Sequence, residues 1–270
     1  MAEFFAGSGL ALFLNAGDPP LDVLADALPA LDEAGLDCLE LAVPFPDSVT
    51  DGPVIRRSAR RALDRGTDLD TVLAFVAEHR PRLRRLRIAL LADWSHSLKR
   101  RPLPGWLADI AASGADGVLV HALPPRLRHD YHGQARAAGL PVVTTCYHGT
   151  SRPEVLAEAA AQATAYVYLV ARYGRSGTTP AAGYGGLSDS VAALRTGTTA
   201  PIAVGFGVRT PQNVADVRAT GADGVIVGSA AVARVADATD SGQDVVTGLR
   251  DLVRELLTAP VTTAPRRSLQ

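Results

Sequence analysis

Two carboxylates carry most of the chemical promise of this chain. Glu40 sits inside the apolar run Cys38-Leu39-Glu40-Leu41-Ala42-Val43, and Asp51 follows on the next connection. A carboxylate on an apolar strand is costly to bury unless it is paired or put to use. Two of them meeting at one strand end would divide proton transfer and orientation between them. The plainer reading makes Glu40 a surface residue and Asp51 a helix cap. Asp51-Gly52-Pro53 fits an N-cap followed by proline at the first helical position.

Such residues need a frame that gathers strand ends. Short apolar runs predict eight strands, over 10–14, 38–43, 88–91, 117–120, 141–145, 166–170, 201–204 and 224–227. Alanine-rich periodic runs predict helices over 21–34, 53–64, 69–78, 105–112, 125–138, 153–163, 187–195, 210–220 and 242–257. The strands read as continuous apolar runs, as in a parallel sheet covered on both faces. Glu-Ala-Gly-Leu-Asp37, Ala-Ser-Gly-Ala-Asp116 and Ala-Thr-Gly-Ala-Asp223 repeat a glycine helix stop that leads into a strand. The expectation is an α/β fold, a single-domain (β/α)8 TIM barrel over 1–258 with a disordered tail at 259–270. An open doubly wound sheet is the competing architecture. Phe4 and Phe5 are expected to plug the bottom of the barrel.

Composition narrows the function classes. The 270 residues are 47% hydrophobic and 20% charged, enough for one large core. A net charge of −1 gives no bias toward nucleic acid or a membrane surface. The start Met-Ala-Glu-Phe-Phe lacks the basic and apolar regions of a signal peptide, and no apolar stretch reaches membrane-spanning length. Cys38 and Cys146 lie in strand-like runs, which predicts buried, reduced thiols in a cytoplasmic protein. No His/Cys cluster has metal-ligand spacing, so no metal is expected.

Phosphate chemistry is predicted at the last two strand ends. Gly205-Phe206-Gly207 follows the seventh predicted strand, and Gly228-Ser229-Ala230-Ala231 follows the eighth. Glycines let backbone N–H groups approach an anion, and a helix N-terminus adds partial positive charge. In a barrel, phosphate favours these loops. Residues 172–186 form a long glycine-rich connection after the sixth strand, read as a lid.

These motifs together resemble the tryptophan synthase alpha subunit family. Its signature Glu-Leu-Gly-x-Pro-Phe-Ser-Asp-Pro-x-Ala-Asp-Gly-Pro stands here as the stretch from Glu40 to Pro53. Gly17-Asp18-Pro19, the stretch from Tyr168 to Gly177, Gly205-Phe206-Gly207-Val208 and Gly228-Ser229-Ala230 match further family motifs in order. The resemblance implies retro-aldol cleavage of indole-3-glycerol phosphate to indole and glyceraldehyde 3-phosphate, with no cofactor. It implies that Glu40 handles the proton traffic, that Asp51 accepts the indole N–H, and that Tyr168 lines the site and orients Glu40 or substrate. Gly177, Gly207, Gly228 and Ser229 would hold the phosphate, and Phe13 and Phe206 would flank the indole. The resemblance also implies a beta-type partner subunit.

The departures from the family cluster at the barrel mouth. Ala92-Asp93-Trp94-Ser95 replaces Met-Tyr-x-Asn, and His121-Ala122-Leu123-Pro124 replaces Ala-Asp-x-Pro. Arg56 replaces Gln, and Ser48 replaces a proline on the loop used for docking the beta subunit, while Asp47 is retained. The diverged docking surface points to a stand-alone indole-releasing lyase. The alternatives are a lyase or isomerase acting on another aryl- or sugar-phosphate, and a non-catalytic phospho-ligand-binding partner of a beta-type subunit.

Overall fold

The computed structural model describes residues 4–5, 8–171 and 186–259. Its strands are β1 (Gly9–Asn15), β2 (Cys38–Ala42), β3 (Arg87–Asp93), β4 (Gly117–His121), β5 (Val143–Tyr147), β6 (Tyr166–Val170), β7 (Ile202–Gly205) and β8 (Gly224–Val227). They form one parallel sheet in the order β4-β3-β2-β1-β8-β7-β6-β5. The ring closes between β4 and β5 through an isolated bridge, Val118 to Val142, where the Val118 N–H donates to the Pro141 carbonyl at 2.9 Å. This is the expected barrel rather than an open sheet.

The helices are α1 (Leu21–Ala34), α2 (Pro53–Asp64), α3 (Leu69–His79), α4 (Leu103–Ala112), α5 (Arg128–Ala137), α6 (Pro153–Gln162), α7 (Leu187–Arg195), α8 (Pro211–Arg218), α9 (Ser229–Asp240) and α10 (Val245–Leu257). None among the described residues is long and apolar enough to cross a membrane. Helix α9 lies where the sequence predicts only a loop. Its buried stripe Ala231, Val232, Val235 and Ala238 has helical spacing. Gly242, expected to open the last helix, instead closes α9 in a left-handed conformation at φ 67°. Asp244 then starts α10 by accepting the N–H groups of Val246 and Thr247 at 3.3 and 3.0 Å.

Strand alternation divides the core in two. Leucines and valines such as Leu12, Leu39, Leu90 and Val204 face the helices. Ala11, Cys38, Ala89, Leu119, Val143, Tyr166, Ala203 and Ile226 fill the barrel interior. Three alanines in this inner layer make room for the large Tyr166 ring. Phe4 and Phe5 close the bottom, each with its ring centroid 5.3 Å from that of Tyr166. Burying a phenyl ring stabilises by roughly 2 kcal/mol. Gly224 is small for the same reason, since a Cβ there would stand 2.7 Å from the Phe5 ring.

The repeated Gly-x-Asp phrase has a structural purpose. Asp37 accepts the Leu10 N–H at 2.9 Å, Asp116 that of Ile88 at 2.8 Å, and Asp223 that of Ile202 at 2.7 Å. Each of these aspartates returns its own N–H to the carbonyl of the same residue. Thr164 does both for Val142, its hydroxyl accepting at 2.8 Å. Four side-chain clips therefore pair β1 with β2, β3 with β4, β5 with β6 and β7 with β8.

Candidate active site

A cavity of about 350 Å³ opens at the C-terminal ends of the strands. Glu40, Asp51, Tyr168, Gly207, Gly228, Ser229, Phe13 and Phe206 all line it. Gly177 and the rest of the proposed lid at 172–185 lie outside the described residues.

Glu40 is fully buried at the centre of β2, not at the end of the strand. Alternation turns it into the barrel, above Cys38 and below Ala42. Tyr166 on β6 reaches across the interior and donates its hydroxyl to Glu40 Oε1 at 2.5 Å. Oε2 has no partner among the described residues. Burial raises the Glu40 pKa to about 7, and the Tyr166 bond offsets part of that rise. Such a carboxyl exchanges protons readily near neutral pH.

Tyr168, expected to line the site and orient Glu40 or substrate, stands two residues along the same face of β6. It lines the cavity, while the bond to Glu40 belongs to Tyr166. Burial first, then the Glu40 and Asp51 carboxylates, push the Tyr168 phenol well above its ordinary range. It is therefore a neutral group beside both acids. Gly205 on β7 leaves it space, since a Cβ there would lie 2.7 Å from the phenol oxygen.

Asp51 is not the cap of α2. Gly52 takes that position in extended conformation with Pro53 at the first turn, and Asp51 stays in the cavity wall. Its N–H donates to Ser48 Oγ at 3.3 Å, and Ser48 Oγ also shares a 3.3 Å hydrogen bond with Thr50. Helix α2 behind this loop is pinned to the end of β1. Asn15 Nδ2 donates to Ser58 Oγ at 3.0 Å, and Arg61 clasps the buried Asp18 through two bonds of 2.8 and 2.6 Å. These contacts fix the angle at which α2 delivers Asp51.

The cavity end at β7 and β8, where the sequence predicts phosphate, is built from backbone. Phe206 and Gly207 both adopt positive φ, 91° and 77°, which turns the chain sharply after β7. For phenylalanine this is a strained conformation costing on the order of 1–3 kcal/mol. Ser229 opens the twelve-residue helix α9, whose first bond runs from the Val232 N–H to the Gly228 carbonyl. The preceding N–H groups have no partner within the helix and stand at its positive end.

On the opposite wall, Asp93 ends β3. It accepts the His96 N–H at 2.9 Å and pairs with His96 Nδ1 at 2.7 Å and His121 Nδ1 at 2.9 Å. Burial alone would raise this carboxyl, but the two histidines more than reverse it, to about 2. Phe45 stacks on both imidazoles, 5.3 Å from His96 and 6.0 Å from His121.

Three contributors were not anticipated. The alternation in Tyr166-Val167-Tyr168 places both tyrosines inside, but depth in the barrel decides which one meets Glu40. The N-terminus of α9 was hidden behind Gly228-Ser229, which reads as a phosphate loop with no helix assigned after it. His96 reaches Asp93 because Trp94–Leu98 winds into a π-helical turn, and the Asp-x-x-His spacing was its only signal.

Residues 6–260 match the family model described as tryptophan synthase alpha chain. The tryptophan synthase alpha chain of Gloeobacter violaceus is 41% identical over 226 residues, covering 84% of this chain and 80% of the relative. A mutant tryptophan synthase alpha-subunit from Pyrococcus furiosus superposes with a TM-score of 0.82 at 31% identity, covering 94% of this chain and 99% of that one. A structure of the Pyrococcus furiosus tryptophan synthase α2β2 complex, described as a basis of mutual activation, gives 0.81 at 31% identity with the same coverages.

Proposed function

The chain belongs to the tryptophan synthase alpha chain family, and we propose from this that it cleaves indole-3-glycerol phosphate to indole and glyceraldehyde 3-phosphate. The observation that carries the reading is Glu40, a half-satisfied buried carboxyl with a pKa of about 7 in the wall of a cavity that also holds Asp51 and the phosphate loops.

Indole is a poor leaving group until its C3 carries a proton. Protonated Glu40 would deliver that proton, and the resulting positive charge on the ring nitrogen would face the Asp51 carboxylate. Glu40, now ionised, would take the proton of the C3′ hydroxyl. The C3–C3′ bond then breaks, its electrons return to the ring, and the aldehyde forms. The acid is regenerated, so one carboxyl completes the cycle. Acid–base groups held this way contribute about 10²–10⁴-fold each. Tyr168 would orient the reacting end, Phe13 and Phe206 would flank the indole, and Gly177, Gly207, Gly228 and Ser229 would hold the phosphate. That remote handle lends binding energy to positioning.

A stand-alone lyase is the first reading of its assembly. Ser48, in place of the family's proline, ties the Asp51 loop to itself without any partner. A beta-type subunit is the second, favoured by Val49, an apolar side chain 81% exposed on that same loop. A small phosphorylated substrate and two buried free thiols accord with a cytoplasmic enzyme.

The test is indole release from indole-3-glycerol phosphate by the purified chain alone, followed by HPLC. Turnover of about 1 s⁻¹ or more supports the stand-alone lyase. Release only after addition of a beta-type subunit supports the second reading, and no release under either condition rejects the reaction.

A further inference from the structure

The cavity has a polar group at the end where an indole ring needs none. In the ring of strands, β3 and β4 lie opposite β7 and β8. If the reading above holds, the phosphate sits at the β7 and β8 loops, the reacting carbon at Glu40, and the ring nitrogen at Asp51. The far edge of the aromatic ring then points at Asp93 and His121, both in the cavity wall.

His121 ends β4, and its imidazole is held rather than loose. Asp93, with its side chain 4% exposed, pairs with His121 Nδ1 at 2.9 Å, and Phe45 stacks on the ring. A carboxylate bound at Nδ1 draws the ring proton there, which in the neutral imidazole leaves Nε2 as an acceptor. The backbone just beyond is also unusual. Ala122 adopts a positive φ of 55°, a conformation strained for alanine, at the turn that ends β4. Behind the same wall lies a second cavity of about 290 Å³ along the β4–β5 seam. It shares Leu119, His121, Thr145 and Tyr147 with the first, so a group on the ring edge meets a thin wall rather than packed core.

We propose that His121, fixed by Asp93, is a specificity-determining residue that accepts a hydrogen bond from a hydroxyl on the benzo edge of the substrate ring, so that the enzyme favours ring-hydroxylated indolyl phosphates. This inference rests on the proposed reaction only for the direction in which the substrate lies. Asp51 serves the ring N–H, and His121 serves a second donor on the far side.

Calorimetry tests it with indole-3-propanol phosphate, its 5- and 6-hydroxy forms, and the 5- and 6-methyl forms as steric controls. The wild-type chain should bind one hydroxy form about tenfold tighter than the matching methyl form, the worth of one hydrogen bond. His121→Phe keeps the ring bulk and should bring that ratio to near one. Asp93→Asn keeps the imidazole but releases its tautomer, and should lower the ratio without abolishing binding. Equal wild-type affinities for hydroxy and methyl forms overturn the proposal, as does a wild-type ratio retained in His121→Phe. Cleavage is scored separately. Indole release without hydroxy preference rejects His121 and leaves the reaction standing. Hydroxy preference without indole release keeps the ring contact and rejects the reaction.

Discussion

The Tyr166 hydroxyl and Glu40 Oε1 meet at 2.5 Å across the barrel interior, one residue on β6 and the other on β2. The pair occupies both sides of the space left by Ala11, Ala89 and Ala203. The bond satisfies half of a carboxyl that burial would otherwise leave wholly orphaned, and the other oxygen has no partner among the described residues. Under the proposed reaction, stability and reactivity would both be set at this one contact.

Removing the charge at Glu40 should separate these effects. Its folded pKa, about 7, lies above the ordinary 4.5. Between those values the folded state holds a proton that the unfolded state has lost, so stability falls as pH rises through that window. Glu40→Gln should abolish indole release. It should also raise Tm relative to wild type at pH 8 by an amount worth up to about 3 kcal/mol, and by much less at pH 4. Equal melting differences at both pH values would sink the assignment.

Tyr166→Phe deletes the bond that holds the Glu40 pKa down. The pKa of Glu40 should rise, moving the ionisation seen in the kcat profile to higher pH, and kcat should drop about tenfold. Tyr168→Phe, which does not touch that bond, should leave the ionisation in place. A pH–rate profile of both variants decides, and a shift in Tyr168→Phe alone would reverse the roles.

Asp93 behaves in the opposite sense. Its folded pKa of about 2 lies below the ordinary 3.8, so its stabilisation is complete above the higher value and is lost as pH falls through the lower. Asp93→Asn should cost no more than about 2 kcal/mol at pH 7, with the gap to wild type narrowing between pH 4 and pH 2. Urea unfolding across that range measures it. A constant gap would mean that packing, not charge, is what Asp93 supplies.

At Phe206 the backbone is strained for any side chain. Phe206→Gly should be more stable than Phe206→Ala by about 1 kcal/mol, because glycine alone accepts that φ freely. Both should weaken substrate binding alike, having lost the same ring. Thermal melts of the two variants give the comparison, and an alanine variant at least as stable as the glycine one would exclude strain.

Ser229→Ala should raise KM several-fold with kcat nearly unchanged, since the hydroxyl would serve the phosphate and not the reacting carbon. An unchanged KM would make Ser229 a structural first-turn residue. A matching fall in kcat would place it nearer the chemistry than the loops suggest.

Much of the frame could be read in advance because two periodicities are plain in the chain. Strands buried on both faces leave continuous apolar runs, and glycine stops punctuate the helices, so α1, α2 and α7 begin and end where expected. What stayed hidden depends on the third dimension. Tyr166 and Tyr168 share a face, and only their depth in the barrel separates the partner of Glu40 from the wall of the cavity. Gly52 displaced Asp51 as the cap, while the loop bond from the Asp51 N–H to Ser48 keeps Asp51 in the cavity wall. Helix α9 was masked by its opening Gly-Ser, which reads as a turn until Gly242 is recognised as its end. Nothing local marks Phe206 itself as left-handed, because the glycines on either side are the residues such a turn would be assigned to.

The clips formed by Asp37, Asp116, Thr164 and Asp223 give the barrel a grain. Each joins an odd strand to the even strand after it, and among the described residues no equivalent side chain joins an even strand to the next odd one. The natural module is therefore a strand–helix–strand–helix quarter, already stapled at its base before it meets its neighbours. Quarters of this kind can be duplicated, swapped or recombined at their edges without cutting a clip. The seam between β4 and β5 is where such a rearrangement would cross the fewest bonds.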